Sequence, residues 1–332
     1  MSKRVLITGG GGFIGYHLAR HLLNNSYNIT ILDNFARSKA DEELDKLLDE
    51  YNTTFITGDV TKPETFRALN NEFDYIYHLA AINGTENFYK IPDKVLKVGV
   101  LGIINILDWF SKQNKGKLMF ASSSETYAGT LKLINAFPIP TPEEVPLVID
   151  DPSNVRWSYG AGKIIGEVAV HSYAKVHGMK NLVIIRYHNI YGPRMGKDHV
   201  IPQFIERIIK KETPFKIFGG QETRTFCYID DAVKATRLVM ESEKTNGQTV
   251  HIGRSDGEIK IIDLAKQLFQ AADVNPHPQI EIQPAPEGSV MRRCPDTTKL
   301  QSLGFTPKIS LDEGLKQTFE WYRGKSDRKN IK

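Results

Sequence analysis

The sequence predicts an α/β protein: a doubly wound parallel sheet with a smaller, mixed α/β C-terminal domain. Short β-branched runs alternate with helical patterns through the first half of the 332 residues. This alternation favours right-handed βαβ units whose sheet is covered by helices on both faces. The second half loses that regularity, which is typical of a smaller cap. We expect one domain at 1–185, with part of 225–255 packing back onto it, and a second domain at 186–332.

The predicted elements follow one another in strand–helix order through the first half. Its strands are at Val5–Thr8, Asn28–Asp33, Thr54–Thr57, Tyr75–Leu79, Lys117–Ser122 and Asn181–Arg186, and its long helices are at Phe13–Asn24, Pro92 to about Gln113 and Tyr159–His177. The second half combines strands at Phe215–Phe218, Thr249–Ile252 and Gln279–Ile282 with helices at Val200–Lys211, Ile261–Ala272 and Leu311–Tyr322. The Pro-rich segment Gly129–Asn154 is predicted to be a long loop that acts as a lid or binding element.

The composition is that of an ordinary globular protein. The 43 lysines and arginines nearly balance 39 aspartates and glutamates, and they cluster only at Arg323–Lys332, where we expect a frayed, solubilising end. Cys227 and Cys294 are too few for a disulfide framework or a metal cluster, which favours a reducing compartment. No apolar run reaches the length of a signal peptide or membrane span. We therefore expect a cytoplasmic protein without metal, membrane or nucleic-acid partners.

A glycine-rich segment stands directly between the first predicted strand and the first predicted helix. Gly9, Gly12 and Gly15 permit a tight turn, close approach of the backbone to a pyrophosphate, and close packing of helix on strand. The helix N-terminus then offers N–H groups to the phosphates. Asp33 closes the second strand, where a carboxylate accepts hydrogen bonds from the ribose hydroxyls and repels a 2′-phosphate. The pattern predicts NAD rather than NADP, although Arg37 lies close in sequence.

Further cofactor contacts are expected at the ends of neighbouring strands, because ligands of a doubly wound sheet bind beyond its carboxyl edge. The candidates are Phe13, Ile14, Asn34, Asp59, Val60, Leu79, Ala80 and Ala81. Asp59 has an equally good alternative role as the cap of the following helix.

A tyrosine and a lysine open the helix near residue 160. Tyr159 and Lys163 are four residues apart and so share one helix face. A free tyrosine titrates near about 10, and a neighbouring ammonium and oxidised nicotinamide favour the phenolate. The hydroxyls of Ser122–Tyr127 end the fifth strand and so face the same crevice. These residues predict an acid–base site beside the cofactor.

Several motifs together are specific for one family. They are TGxxGxxG at Thr8–Gly15, the serine-rich strand end, YxxxK at Tyr159–Lys163, RxxN and GPR within Arg186–Arg194, and RxFxYxDD at Arg224–Asp231. The combination resembles the extended short-chain dehydrogenase/reductase family, in particular its nucleotide-sugar epimerases, dehydratases and decarboxylases. The resemblance spans Val5 to about Tyr322. It implies a Rossmann-type NAD-binding domain, a second domain that mainly binds a nucleotide-diphosphate sugar, and a homodimer formed through the Pro92–Gln113 and Tyr159–His177 helices.

The resemblance also implies roles for individual residues. Tyr159 takes a proton from the sugar C4 hydroxyl as hydride passes to NAD, and Lys163 holds the nicotinamide ribose. Ser123 orients the substrate, with Ser124 as a near alternative. The implied substrate contacts are Asn87, Asn189, Arg194, Arg224 and Arg293, of which Asn189, Arg224 and Arg293 hold the diphosphate.

Glu125 bears on the fate of the sugar after its oxidation at C4. Family 4-epimerases commonly have a small or neutral residue at this position, whereas dehydratases and UDP-glucuronate decarboxylases have glutamate. A carboxylate near C5 and C6 can relay a proton, which elimination and enolate protonation require. Ser124, however, stands where many dehydratases have aspartate. The residues favour a decarboxylase or 4,6-dehydratase; a 4-epimerase, a C4 dehydrogenase and a non-catalytic NAD-sensing protein remain alternatives.

Overall fold

The computed structural model describes residues 2–38, 40–51, 53–69, 72–134, 137–285 and 290–330. The elements up to the sixth strand are β1 (Arg4–Thr8), α1 (Phe13–Leu23), β2 (Asn28–Asp33), α2 (Glu42–Glu50), β3 (Thr54–Thr57), α3 (Pro63–Arg67), β4 (Tyr75–His78), α4 (Thr85–Lys90), α5 (Pro92–Phe110), β5 (Lys117–Ser123), α6 (Ala128–Leu133), α7 (Trp157–His177) and β6 (Leu182–Tyr187). Among these helices, α2 begins at the Asp41 side chain, which accepts hydrogen bonds from two backbone N–H groups of the first turn.

The later elements are shorter on average. They are β7 (Ile190–Tyr191), α8 (Val200–Ile209), β8 (Phe215–Phe218), β9 (Thr223–Arg224), β10 (Cys227–Tyr228), α9 (Ile229–Glu241), β11 (Thr249–Ile252), β12 (Ile259–Lys260), α10 (Ile261–Ala271), β13 (Ile280–Gln283), β14 (Arg292–Arg293), α11 (Thr298–Ser302) and α12 (Leu311–Asn330). Short 3₁₀ helices lie at Ser124–Tyr127 and Glu243–Thr245. None of the described helices combines the length and apolarity needed to cross a bilayer.

The central sheet has seven strands in the order β11-β6-β5-β4-β1-β2-β3, and neighbouring strands are parallel. The strand order reverses direction beside β1, and the carboxyl ends of β1 and β4 meet there, with Thr8 opposite His78. A parallel sheet binds ligands in the crevice at such a reversal. The predicted doubly wound α/β fold is therefore confirmed.

The core lies on both faces of this sheet. On one face, apolar residues of β1, β4 and β6 pack with α3, α5 and α7 in a cluster that includes Leu6, Ile76 and Ile184. On the other face, α1 and α9 cover the sheet, and their cluster continues into the second half of the chain. Because both faces are buried, the strands consist of nearly continuous apolar runs.

The structure differs from several expectations about the elements. Helix α9 was not predicted, although its buried face, with Ala232, Val233 and Thr236, packs towards α1. Helix α12 continues to Asn330 instead of ending at Tyr322, so Arg323–Asn330 is helical and not frayed, and residues 331–332 lie outside the described part. The Tyr322 hydroxyl donates to the Met195 carbonyl, and this contact anchors the helix.

The segment Gly129–Asn154 was predicted to be a loop that acts as a lid or binding element. It begins inside α6, and residues 135–136 lie outside the described part. Thr130 donates to the Pro146 carbonyl at 2.7 Å, and Thr141 joins the segment to the backbone of Cys294 and Asp296. None of its described residues, 129–134 and 137–154, lines the main cavity. The described part of the segment therefore ties the two halves of the chain together and does not line the cavity.

Candidate active site

A cavity of about 800 Å³ lies at the carboxyl edge of the sheet, between the sheet and the second half of the chain. All the predicted cofactor residues line it: Gly9, Gly12, Phe13, Ile14, Gly15, Asp33, Asn34, Asp59, Val60, Leu79, Ala80, Ala81, Tyr159 and Lys163. Ser123, Ser124, Glu125, Asn87, Asn189, Arg194 and Arg293 line it as well. Arg224 is not among the described residues that line the cavity.

The glycine-rich loop forms the floor of the cavity. Gly9 has a φ of +73°, and its N–H donates to the Leu32 carbonyl at 2.8 Å. A Cβ atom on Gly15 would lie 2.2 Å from the Gly9 carbonyl oxygen, a contact that no side chain tolerates. Glycine is required at both positions because the first turn of α1 packs directly on the loop. The bare backbone fits the diphosphate of a dinucleotide, whose charge favours a helix N-terminus.

Asp33 lies at the rim of this loop. One of its carboxylate oxygens accepts the Gly11 N–H at 3.0 Å, and the other accepts the Phe35 N–H at 2.8 Å. The first oxygen keeps a further lone pair for a ribose hydroxyl, whereas the second also accepts the Ser38 hydroxyl at 3.5 Å. Phe35 stacks on Phe55 with ring centroids 5.1 Å apart, which holds the segment after β2 in place. The site therefore has the glycine cradle and the acidic residue that NAD requires.

Tyr159 and Lys163 lie one turn apart on α7, beside the end of β5. The Tyr159 ring stacks on Phe88 with centroids 5.0 Å apart, and its hydroxyl is hydrogen-bonded to Ser123. Burial raises the pKa of Tyr159 to about 12, against the Ser123 hydrogen bond, which lowers it. The Lys163 ammonium donates to the Ala121 carbonyl at 2.6 Å, and burial lowers its pKa to about 8. We expected a pKa below the ordinary tyrosine value, and the protein groups alone produce the opposite shift.

Glu125 is held by arginines at the other end of the cavity. Arg293 Nη1 donates to one carboxylate oxygen at 2.5 Å, and Arg156 Nη2 lies 3.5 Å from the other. Burial acts to raise the pKa of Glu125, but the charges of Arg293, Arg156 and Arg224 and the Arg293 hydrogen bond lower it to about 2. Glu125 is therefore an anion at neutral pH, able to accept a proton before it can donate one.

The polar groups of three of the expected substrate residues already have hydrogen-bond partners within the protein. Asn87 and Asn189 each donate their amide to a backbone carbonyl, that of Asn83 at 2.8 Å and that of Thr225 at 2.9 Å. Arg224 donates to the carbonyls of Thr223 and Val290, both at 2.7 Å, and lies behind the cavity wall. In this structure Arg224 therefore braces the backbone around Arg293 and does not face the cavity.

A buried polar network lies beneath β5. Glu167 accepts hydrogen bonds from Ser122 at 2.5 Å and from Arg186, whose Nε lies at 2.8 Å and Nη2 at 2.5 Å. Arg186 also donates to the Tyr127 hydroxyl, and that hydroxyl is bonded to His251 Nε2 at 2.6 Å. Glu167 follows Lys163 by one turn of α7, so this network joins the reactive helix to the strand that carries Ser123.

Sequence reasoning missed several residues of the site. Arg156, which precedes Tyr159 by one turn, contacts Glu125, and Asp41 and Trp321 line the cofactor side of the cavity. The position of Arg156 beside the YxxxK motif was a usable signal. Nothing in the sequence indicated Trp321, because it reaches the cavity only through the way α12 packs on the rest of the chain.

Comparison with known proteins supports this description. The family model described as "NAD dependent epimerase/dehydratase family" matches residues 5–253. A UDP-N-acetyl-alpha-D-glucosaminuronate decarboxylase of Bacillus cytotoxicus is 36% identical over 335 residues, covering 97% of this chain and 98% of that protein. UDP-glucuronic acid decarboxylase 5 of Arabidopsis thaliana is 34% identical, covering 97% of this chain and 90% of that protein.

Among solved structures, the UDP-glucose 4-epimerase of Thermotoga maritima with UDP-glucose superposes with a TM-score of 0.84 at 30% identity, covering 97% of this chain and 99% of that one. The relatives are thus enzymes of related but different reactions on one fold. The expectations of an enzyme, of NAD as its cofactor and of the family itself are confirmed. This chain belongs to the NAD dependent epimerase/dehydratase family.

Proposed function

We propose that this enzyme decarboxylates the uronic acid of a UDP-sugar after oxidising it at C4. The two relatives named as decarboxylases match nearly the whole chain, which supports this reaction over others in the family. The observation that carries the proposal is the charge around Glu125.

Guanidinium groups contact Glu125 at the sugar end of the cavity. Arg156, Arg224 and Arg293 act on Glu125, and Glu222 offsets part of the charge of Arg224. Of these arginines, Arg293 lines the cavity and binds Glu125 directly. A guanidinium in the cavity wall suits a sugar that carries a C6 carboxylate, and a neutral hexose offers it no negative charge.

The residues around the phenol carry out the oxidation. NAD, which the glycine loop and Asp33 would hold, would supply the hydride acceptor and a positive charge. With that charge present, the phenolate becomes accessible at neutral pH and removes the proton of the C4 hydroxyl. Ser123, hydrogen-bonded to Tyr159, orients the same hydroxyl. Lys163 stays fixed to the Ala121 carbonyl and presents its positive charge to the phenol, with 5.6 Å between Nζ and the ring centroid.

The oxidised uronic acid is a β-keto acid. Its C5–C6 bond breaks, CO₂ leaves, and the electron pair passes to the C4 oxygen as an enolate. We assign the stabilisation of this developing charge to Arg293, which lines the cavity. Glu125, whose side chain is 24% exposed, accepts a hydrogen bond from a water molecule that gives a proton to C5, and a proton from bulk solvent neutralises the hydroxide that remains. Reduction at C4 would complete the reaction, with Tyr159 returning its proton to the C4 oxygen of the decarboxylated sugar.

Incubation with a panel of UDP-sugars tests the proposal. UDP-glucuronic acid and UDP-N-acetylglucosaminuronic acid should each be tried, with UDP-glucose as the neutral control, and the products weighed by mass spectrometry. Loss of the mass of CO₂ from a uronic acid is expected. Turnover of UDP-glucose without mass change, or loss of water from it, would contradict the proposal.

The second candidate is a nucleotide-sugar 4-epimerase, which the likeness to the Thermotoga maritima enzyme favours. It needs only rotation of the keto sugar between two hydride transfers, and Tyr159 suffices for both. An isomerised product of unchanged mass, seen by chromatography, identifies this reaction.

We also propose a homodimer in the cytoplasm. Exposed apolar side chains lie on both helices of the packed pair α5 and α7. They are Leu96 and Leu101 of α5 and Ile165 and Val168 of α7, the last 59% exposed. Two such pairs would bury these side chains as a four-helix bundle. A monomer by light scattering would contradict this assembly.

A further inference from the structure

Arg194 lies on the cofactor side of the cavity, away from the arginines that hold Glu125. The geometry points to Arg194 as a ligand of the diphosphate of NAD, and not of a nucleotide sugar. This assignment differs from the role that the sequence resemblance implies for Arg194. It depends on NAD binding alone, so it stands or falls independently of the proposed substrate.

The turn that carries Arg194 is fixed to the helix whose N-terminus forms the glycine loop. His17 of α1 donates from Nε2 to the Pro193 carbonyl at 2.9 Å. The Arg194 guanidinium lies 4.0 Å from the ring centroid of Tyr16, also on α1. Both contacts come from the first turns of α1, next to Gly12. The guanidinium is therefore held close to the part of the cavity that receives a diphosphate.

The hydrogen-bond partners of Arg194 leave one nitrogen unused. Nε and Nη2 donate to one carboxylate oxygen of Asp41 at 3.2 and 2.8 Å, and Nε lies 3.8 Å from Glu43. The side chain is only 6% exposed. Nη1 is buried and has no hydrogen-bond partner among the described residues. Arg194 lines the cavity, so its guanidinium brings a positive charge to the wall beside the glycine loop, where an anion such as a diphosphate is stabilised.

The backbone conformation of Arg194 indicates that surrounding contacts hold this residue in place. Arg194 has a φ of +64°, in the left-handed region that residues with a side chain seldom adopt. Such a conformation persists where surrounding contacts hold it, and it is concentrated at ligand sites. Here the Tyr16, His17 and Asp41 contacts hold it together.

The surrounding charges explain why an arginine is needed. Asp41 and Glu43 start α2, the first helix after Asp33, so they stand beside the predicted ribose site. Two carboxylates at that place would repel a diphosphate. Glu43 is held by Trp321 Nε1 at 2.9 Å and Lys325 at 3.1 Å, both of α12. Arg194 offsets the remaining charge, and in doing so it joins the second half of the chain to the cofactor.

Binding measurements on three variants test the inference. NAD affinity is measured by titration of cofactor-free protein, and NAD content by release on acid denaturation. Replacement of Arg194 by Met should weaken NAD about 10- to 100-fold, because a charge-assisted contact is lost. The NAD affinity of the Arg194→Lys protein should lie between those of the Arg194→Met protein and wild type. Binding of UDP to the same proteins, measured by calorimetry, should not change.

Asp41→Asn is the matched control. Asparagine caps a helix as well as aspartate does, so α2 is retained while one negative charge and the ion pair to Arg194 are lost. If Arg194 binds the diphosphate, this variant binds NAD at least as tightly as wild type. If Arg194 were only a structural tie to Asp41, the Asp41→Asn and Arg194→Met proteins would lose NAD equally, which overturns the inference.

Other outcomes are also decisive. Unchanged NAD affinity in a folded Arg194→Met protein overturns the inference, as does a loss of UDP affinity with NAD retained. If Arg194→Met does not fold, the comparison of Arg194→Lys with Asp41→Asn carries the test. A lower affinity for NAD in the Arg194→Lys protein but not in the Asp41→Asn protein supports the inference. An equal loss of NAD affinity in both proteins rejects it.

Discussion

Replacing Glu167 by Gln removes one charge from the buried pair beneath Ser122 while keeping the shape of the side chain. The side chains of Glu167 and Arg186 are 6% and 5% exposed, so water does not screen the charge left on Arg186. Removing one partner of such a pair costs about 3–5 kcal/mol, because the other is left buried and uncompensated.

The expected change in melting temperature follows from the size of the chain. At roughly 2.1 cal/mol/K of unfolding entropy per residue, 332 residues correspond to about 0.7 kcal/mol/K. If the chain unfolds in one step, the loss of about 3–5 kcal/mol lowers Tm by about 4–7 °C.

Differential scanning calorimetry of Glu167→Gln, Arg186→Met and the double variant measures this effect. The double variant contains neither charge, so it should be less destabilised than the sum of the single variants, by about 0.5–3 kcal/mol. A Glu167→Gln protein that melts within about 1 °C of wild type would refute the reasoning, and so would strict additivity of the two changes.

Three further outcomes are expected. Gly15→Ala should weaken NAD about tenfold or more in a titration, since its Cβ would meet the Gly9 carbonyl, whereas Gly324→Ala, with open space around it, should not. The Tyr159→Phe protein should bind NAD yet show no turnover of any UDP-sugar. In an ultraviolet difference titration of wild type against this variant, the pKa of Tyr159 should fall from about 12 when NAD binds, because a positive charge favours the phenolate. Val168→Asp should give a monomer by light scattering, and an unchanged dimer would place the interface elsewhere.

The features that were predictable from the sequence are those set by local patterns. The order of strands and helices follows from short-range periodicity, and the glycine loop follows from a turn that only glycine permits at Gly15. Tyr159 and Lys163 were recognisable because helix geometry alone puts them on one face. Glu125 was identified from the family resemblance, but its ionisation depends on Arg156 and Arg293, which come from distant parts of the chain.

The remainder depends on how distant segments pack. Helix α9 was not predicted because its apolar face is explained only by its packing against α1, which is distant in sequence. Arg194 belongs to a motif shared with nucleotide-sugar enzymes, yet the position of its guanidinium depends on Tyr16, His17 and Asp41. The Pro-rich segment that includes Thr141 suggested a lid, because proline marks loops, but nothing local revealed that Thr141 pairs with the backbone near Cys294.

Strand β11, the last strand in sequence of the central sheet, has a consequence for how the protein folds during synthesis. Strand β11, at Thr249–Ile252, covers the edge of β6, so Ile184 and Ile185 have no partner on that side until it arrives. During synthesis the first 185 residues leave the ribosome with a flat apolar edge that can pair with another chain. A shortened chain that ends there would keep the glycine loop and the reactive tyrosine but not a closed sheet. The protein therefore cannot be divided at the apparent domain boundary without producing an aggregation-prone fragment.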